Sequence, residues 1–149
     1  MHPAFQEFRT LLTRRRRFLL TTHLNPDGDG IGSELALARA LHARGIHATI
    51  LNADPTPSNY RFLDPEGSIL HFDPPVHETL VREAEAIIVV DTNTPDRLGK
   101  LKTPVLESNA EIVCIDHHLE PHAFVTLAII DDGAAATGEI VANLLSFLG

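Results

Sequence analysis

The sequence predicts an α/β fold in which a mostly parallel sheet carries helices on both faces. Segments with strand character alternate with segments of helical periodicity along the whole chain, which is the order that a parallel sheet requires. The segment AIIVV at 86–90 is continuously apolar, as expected for a strand that is buried on both faces. The length of 149 residues fits a single domain.

The helices are predicted from apolar residues at helical spacing and from the punctuation around them. Phe5, Phe8, Leu11 and Leu12 recur at this spacing in the first helix, residues 3–13. Further helices are expected at 33–43, at 76–85 after two prolines, near 105–108 and at 135–147, with one helical turn at 58–63.

The strands are predicted from short apolar and β-branched runs bounded by turn residues. They are expected at 17–22, 46–51, 68–71, 86–90, 111–115 and 124–130. Between the first strand and the second helix, Pro26, Gly28, Gly30 and Gly32 predict a loop without regular structure that lets backbone approach a ligand closely.

The charge balance narrows the classes of ligand. The net charge is −8, from 20 acidic and 12 basic residues, which argues against broad non-specific binding to long nucleic acid. A small phosphorylated ligand is still compatible, because a bound metal ion would reverse the local charge. The one basic block, Arg14 to Arg17, fits either a solvated helix end or a contact with a phosphate backbone.

The sequence predicts a cytoplasmic protein. No apolar run approaches the ~20 residues that a membrane helix needs, and no segment has the pattern of a signal peptide. The single cysteine, Cys114, excludes a disulfide framework and a cysteine-based zinc site, and its apolar surroundings predict a buried thiol. An exposed sheet edge or the apolar N-terminal helix could pair in a homodimer, although no pattern requires one.

Acidic and imidazole side chains follow four of the predicted strands. In an open α/β sheet, ligands bind outside the carboxyl ends of the strands, so these groups should converge in space. Each aspartate taken alone could instead cap a helix, and the first set could be a solvated turn. Four such ends, two of them with histidine, favour a shared site. The sets are His23, Asp27 and Asp29; Asp91; Asp116, His117 and His118; and Asp131.

The residue types predict a metal site. Carboxylates and imidazoles without a thiolate suit Mn²⁺ or Mg²⁺ better than a structural zinc ion. Four or five carboxylates cannot share one cleft unpaired, and two divalent ions would nearly balance them. A two-metal centre with ions ~3.5–4 Å apart generates a hydroxide at neutral pH and clamps a phosphoryl oxygen. Phosphoester hydrolysis is therefore the predicted reaction.

Four ordered motifs resemble those of the DHH phosphoesterases. They are H-x-x-P-D-G-D-x-x-G-S at 23–33, VDT at 90–92, IDHH at 115–118 and D-x-x-A-A-A-T-G-E at 131–139. Within that superfamily the sequence is most similar to the bifunctional oligoribonuclease and 3′-phosphoadenosine 5′-phosphate (pAp) phosphatase type. The resemblance spans essentially the whole chain.

The resemblance implies a role for each motif residue. It implies that His23, Asp27 and Asp91 are ligands of one metal ion. It implies that Asp29, His117 and Asp131 are ligands of the second, with Asp91 bridging the two. Asp116 would orient a motif imidazole, and His118 would face the substrate phosphate as a hydrogen-bond donor or acid. Three residues in or beside the motifs could touch phosphate. The alternative is that they cap helices or lie at the surface. They are Asn25, Ser33 and Arg97.

The resemblance also implies that residues 1–149 form a catalytic domain and that the family's second domain is absent from this chain. Family members of this type carry a substrate-binding domain (the DHHA1 type) with a glycine-rich GGGH-like motif, which this sequence lacks. We therefore expect an excised catalytic domain that uses two ions, with Mn²⁺ expected and Mg²⁺ the alternative. Other family substrates are pyrophosphate, cyclic dinucleotides and the 5′ end of single-stranded DNA. A metal- and nucleotide-binding module with little turnover by itself is the remaining alternative.

Overall fold

The computed structural model describes residues 1–119 and 124–149. Its strands are β1 (Arg17–Thr21), β2 (His47–Asn52), β3 (Ile69–His71), β4 (Ala86–Val90), β5 (Glu111–Asp116) and β6 (Leu127–Ile130). Its α-helices are α1 (Ala4–Arg14), α2 (Gly28–Ala43), α3 (Pro74–Glu83), α4 (Lys102–Glu107) and α5 (Thr137–Leu148). Two 3₁₀ helices, Ser58–Leu63 and Pro95–Leu101, complete the regular structure of these residues.

The strands form one sheet in the order β3-β2-β1-β4-β5-β6. Every pairing in the described residues is parallel, so the predicted parallel sheet is confirmed. Leu20 of β1 is aligned with Ile50 of β2 on one side and with Ile88 of β4 on the other. All carboxyl ends therefore meet at one edge, and the chain runs outward in opposite directions from β1 and β4.

Helices cover both faces of the sheet, as the sequence predicts. On one face α1, α2 and α5 pack against alternate strand residues such as Leu20 and Ile88. On the other face α3, α4 and the second 3₁₀ helix pack against Leu19, Ile87 and Val89. All five residues of β4 are buried, which confirms that 86–90 is a strand covered on both sides.

The prediction that the glycine-rich turn has no regular structure is wrong. Helix α2 begins at Gly28, five residues before the predicted start at Ser33. Its cap explains the early start, because the Asp27 carboxylate accepts the Gly30 N–H at 3.0 Å. A Cβ at Gly30 would lie 2.5 Å from Thr22 Oγ1, so this glycine permits close packing of the helix on β1.

Other predicted boundaries differ by a few residues. Helix α3 begins at Pro74 rather than at Val76, because proline in the first helical turn gives up an N–H that has no partner within the helix. The short helix predicted near 105–108 is α4, residues 102–107, and a 3₁₀ helix precedes it. Strand β6 begins at Leu127 rather than at Phe124, since its pairing with β5 starts there.

The basic run lies at the amino ends of the strands, away from the acidic strand ends. Arg15 forms an ion pair with Glu111 at 2.7 Å. The Glu85 carboxylate accepts the N–H groups of Arg16 and Arg17, both at 2.8 Å, and these bonds lower the pKa of Glu85. These contacts fit a helix end at the surface, the first of the two interpretations offered by the sequence.

Two further features of the described residues are the environment of Cys114 and the lengths of the helices. Cys114 lies buried in β5, as predicted, and burial together with the charge of Asp116 raises the pKa of its thiol. Among the helices in the described part of the chain, none is both long enough and apolar enough to cross a bilayer.

Candidate metal centre

The acidic and imidazole groups meet where the sheet changes its direction of winding. Strands β1 and β4 are neighbours, and the chain leaves them toward opposite edges. Such a switch point leaves a crevice outside the carboxyl ends of the strands. The loop after β1 carries His23, the loop after β4 carries Asp91, and β5 ends at Asp116.

His23 presents one ring nitrogen to two carboxylates. Its Nδ1 lies 2.6 Å from the Leu24 carbonyl, so the Nδ1–H donates there and the Nε2 lone pair faces outward in the neutral ring. Nε2 lies 3.3 Å from Asp91 Oδ2 and 3.8 Å from Asp27 Oδ2. In the protonated ring Nε2–H donates to Asp91, and this hydrogen bond raises the pKa of His23, while burial opposes it.

His117 occupies a matching position on the other side of Asp91. Its Nε2 lies 3.6 Å from Asp91 Oδ1 and 4.0 Å from Asp29 Oδ2. Each oxygen of Asp91 therefore faces one imidazole nitrogen, and each of these nitrogens also faces a further aspartate. Asp91 is the residue common to both groups, which is the geometry that a carboxylate bridging two cations would need.

Asp91 is held by its surroundings. It has a positive φ of 60°, an uncommon conformation for a residue other than glycine. Its carboxylate is 4% exposed, and Thr137 Oγ1 donates to its Oδ1 at 2.9 Å. Burial would raise the pKa of Asp91, but the hydrogen bonds from His23 and Thr137 lower it below its usual range.

Asp29 lies at the N-terminus of a second helix. Its two oxygens accept the N–H groups of Thr137 and Gly138, at 2.9 and 2.7 Å, in the first turn of α5. Ala136, the N-cap residue of α5, has no side chain that can cap it, so Asp29 takes this role from a distant part of the chain. Burial and the nearby charge of Asp91 nevertheless raise the pKa of Asp29.

Asp116 orients the histidine pair. Its Oδ1 accepts the His117 N–H at 2.8 Å and lies 2.7 Å from His118 Nδ1. Since Nδ1–H donates to Asp116, Nε2 of His118 is directed away from it, and the His118 side chain is 47% exposed. Asp116 is fully buried, and its Oδ2 has no hydrogen-bond partner in the part of the chain that the structure describes.

The donor set fits divalent cations. Ligand atoms lie within 4.8 Å of one another in two groups, and both contain Asp91. Carboxylate oxygens and imidazole nitrogens are ligands for Mn²⁺, Mg²⁺ and related ions. Burial and the nearby charge of Asp91 both raise the pKa of Asp29, and a bound cation would offset the repulsion between these carboxylates. The groups are His23, Asp27 and Asp91, and Asp91, Asp116, His117 and His118.

Like Asp29, Asp131 lies in neither of the two groups. Its side chain is exposed and its Oδ1 accepts the Gly133 N–H at 3.0 Å. It also lines a cavity of about 440 Å³ together with His2 and Phe5. Its role as a metal ligand stays a prediction.

The three residues predicted to touch phosphate have different surroundings. Arg97 is exposed and lines a cavity of about 490 Å³ together with His118. Asn25 is exposed, has a positive φ of 51° and donates its N–H to Asp54. Ser33 is buried, and within residues 1–119 and 124–149 its Oγ has no hydrogen-bond partner.

Two residues that hold the site were not identified from the sequence. Thr137 lies within the motif A-A-A-T-G-E, so its position in the motif was the available signal. Asn93 is buried beside the motif VDT and donates its Nδ2–H to the His118 carbonyl at 3.1 Å. No sequence pattern indicated this role of Asn93, because the contact joins residues far apart in sequence.

Five histidines of the described residues lie outside the motifs, and both ligand groups exclude them. They are His2, His42, His47, His71 and His77, and each is exposed or half-buried. His122 lies outside the described residues.

Fold and site together define the class of protein. It is an α/β protein with carboxylates and imidazoles around one buried aspartate at the switch point of a parallel sheet. A family model described as the N-terminal domain of the DHH family matches residues 17–148. The chain therefore belongs to the DHH family, which confirms the family expected from the motifs.

The relatives and one solved structure extend beyond this chain. It is 35% identical over 130 residues to the bifunctional oligoribonuclease and PAP phosphatase NrnA of Thermus thermophilus, covering 87% of the chain and 36% of NrnA. It is 25% identical to the cyclic-di-AMP phosphodiesterase PdeA of Listeria monocytogenes, covering 95% of the chain and 23% of PdeA. An exopolyphosphatase-related protein from Bacteroides fragilis superposes with a TM-score of 0.93 at 26% identity, covering 98% of the chain and 44% of that protein.

Proposed function

We propose that this chain is the catalytic domain of a divalent-metal-dependent phosphoesterase that hydrolyses short oligoribonucleotides, pAp or both. The observation that carries the proposal is the position of Asp91, whose two oxygens lie 3.3 and 3.6 Å from the imidazole nitrogens of His23 and His117. The printed activities of NrnA support the choice of substrate.

The residues around Asp91 would hold two cations. His23, Asp27 and Asp91 would bind one, and Asp29, His117 and Asp91 the other, with Asp131 as a further ligand of the second. When bound, two divalent ions supply a nucleophile from water at neutral pH and offset the charge of the phosphate. Mn²⁺ is the proposed ion and Mg²⁺ the alternative.

His118 would act on the substrate rather than on a metal. Its Nδ1–H donates to Asp116, so in the protonated ring Nε2–H can donate a hydrogen bond or a proton to a phosphate oxygen. Asn93 holds the backbone of His118. Arg97 shares the adjoining cavity and would add positive charge for the phosphate, with Asn25 and Ser33 proposed as further contacts.

A second domain would complete the enzyme. The chain spans 36% of NrnA and 23% of PdeA, which supports a longer protein in cells. A cap domain that positions substrate can supply ~7–11 kcal/mol of a barrier, so turnover by this chain alone would be low. We further propose a cytoplasmic location and leave a homodimer as an option for the full-length protein.

A second candidate substrate is a cyclic dinucleotide. The likeness to PdeA, over 95% of the chain, favours it. The same metal centre would serve, because a cyclic dinucleotide also presents a phosphodiester. The two candidates differ in the shape of the substrate beyond the phosphate.

The test compares pAp, a diribonucleotide, cyclic di-AMP and pyrophosphate as substrates, for this chain and for one extended through a second domain. We expect Mn²⁺-dependent hydrolysis of pAp or the diribonucleotide, and its loss in Asp91→Ala. Asp132→Ala, an exposed aspartate outside both ligand groups, is the matched control. Activity retained in Asp91→Ala would refute the assignment, and pyrophosphate as the sole good substrate would refute the proposed specificity.

A further inference from the structure

Thr22 connects the two strand ends that bear His23 and Asp91. It directly precedes His23, and its hydroxyl donates a hydrogen bond at 2.9 Å to the carbonyl of Val90, the residue before Asp91. The aligned residues of β1 and β4 end one position before Thr22 and Val90. A side chain therefore joins the two segments at the point where the backbone pairing stops.

The backbone of Thr22 is also held from β2. The Asn52 side chain accepts the Thr22 N–H at 3.1 Å, and Glu34 accepts a hydrogen bond from Asn52 at 3.0 Å. Thr22, Asn52 and Glu34 are each at most 1% exposed. Because hydrogen bonds are electrostatically stronger in such an interior than in water, these bonds fix the position of the Thr22 backbone.

Helix α2 packs against the Thr22 side chain as well. A Cβ at Gly30 would lie 2.5–3.3 Å from three side-chain atoms of Thr22, so the first turn of α2 lies directly on this side chain. The Gly30 N–H is the one that Asp27 accepts. Thr22 therefore adjoins each of the three segments that supply one ligand group, which consists of His23, Asp27 and Asp91.

We propose that Thr22 is a positioning residue for the cation that His23, Asp27 and Asp91 would share. The inference rests on the proposed function, because it assumes that these three side chains bind a metal ion. The Thr22 hydroxyl sets the separation of the two backbones from which His23 and Asp91 extend, and their side chains lie 3.3 Å apart. Residues that orient metal ligands typically contribute about 10- to 100-fold to metal affinity.

The ligands proposed for the second cation are held by different contacts. Asp29 accepts N–H groups from the first turn of α5, and Asp116 accepts the N–H of His117. These bonds do not involve Thr22. Loss of the Thr22 hydroxyl should therefore weaken the binding of one cation much more than that of the other.

The experiment titrates the chelator-treated chain with Mn²⁺ by calorimetry and compares the affinities of the two ions. Thr22→Val keeps the size of the side chain without the hydroxyl, and it should weaken one ion roughly 10- to 100-fold and leave the other nearly unchanged. Thr22→Ser keeps the hydroxyl and should bind both ions as wild type does. Thr21→Val is the matched control and should change neither ion, because it removes a buried hydroxyl that donates to Asn52 and not to β4.

The outcomes separate this inference from the proposed function. If Thr22→Val binds both ions as wild type does, or weakens both equally, the inference is refuted and the proposed function stands. An equal loss of affinity in Thr22→Ser or Thr21→Val has the same meaning, because the effect would then be a general one on the fold. A wild-type chain that binds no Mn²⁺ would refute both. If Thr22→Val does not fold, Thr22→Cys takes its place in the same comparisons, since a thiol is a weaker donor than a hydroxyl.

Discussion

Single residues in this site serve the fold and the candidate chemistry together. Asp27 caps α2 and also faces His23, and Asp29 caps α5 and also faces His117. The sequence offered capping and metal binding as alternatives for such aspartates. The structure shows the capping bonds, and these do not exclude ligand contacts, because an ionised carboxylate can accept several hydrogen bonds or ligand contacts.

Glu34 is a buried acid that ties α2 to the strands leading into the site. It is fully buried, and its Oε2 accepts the Asn52 Nδ2–H at 3.0 Å. Asn52 Oδ1 in turn accepts the Thr22 N–H at 3.1 Å, next to His23. Burial raises the pKa of Glu34 to about 8, although the bond from Asn52 opposes this.

Glu34 should therefore make stability depend on pH. The carboxyl of Glu34 keeps its proton up to about pH 8 in the folded chain but loses it above about pH 4.5 in the unfolded chain. Its contribution should therefore lower the free energy of unfolding as pH rises from about 4.5 to about 8, and should not change above pH 8. Glu34→Gln keeps an acceptor for Asn52 but cannot ionise. Over this range we expect the free energy of unfolding of Glu34→Gln to fall by about 1–4 kcal/mol less than that of wild type.

The measurement is thermal or denaturant unfolding of metal-free protein between pH 5 and pH 9. The control is Glu66→Gln, an exposed acid, which should follow the wild-type profile. Parallel pH profiles for wild type and Glu34→Gln would show that Glu34 is not protonated in the folded chain.

At the scale of elements, the strands were easier to predict than the start of α2. Apolar and β-branched runs indicate the strands in the sequence, and the predicted bounds of β4 are the observed ones. Glycines usually interrupt helices, and this general preference led to the wrong start at Ser33. The local reason for the glycine at position 30 is its contact with Thr22, which follows β1 and leaves no trace in the composition around Gly30.

Two glycines of α2 should respond oppositely to substitution. A Cβ at Gly30 would lie 2.5 Å from Thr22 Oγ1, which donates a hydrogen bond to the Val90 carbonyl. A Cβ at Gly32 would have no neighbouring atom within 4 Å. We expect Gly30→Ala to destabilise the fold by about 1–3 kcal/mol through overpacking. Gly32→Ala should stabilise it by roughly 0.5–1 kcal/mol, because alanine favours a helix.

Urea unfolding of the two variants beside wild type measures the difference. Gly32→Ala is the matched control, since it makes the same substitution two residues away in the same helix. Equal effects of the two variants would mean that α2 does not pack on Thr22 as described. A stabilising Gly30→Ala would have the same meaning.

At the scale of the molecule, the sequence predicted the fold class and the edge where the site lies. Parallel strands bring their carboxyl ends together, so His23, Asp91 and His117 could be expected to meet before any coordinates were known. Their distances and partners could not, because these depend on how the loops pack. Thr137 on Asp91 and Asn93 on His118 are long-range contacts of this kind. The exposure of the Asp131 side chain could likewise not be predicted from its position in a motif.

The central claim is a centre for two divalent ions that share Asp91. Calorimetric titration of chelator-treated protein with Mn²⁺ tests it most directly, on wild type and His117→Ala, with His77→Ala as a control outside both ligand groups. We expect about two ions per chain for wild type and the control, and fewer for His117→Ala. A wild-type chain that binds no Mn²⁺ above background, or a His117→Ala chain that binds as wild type does, would contradict the account.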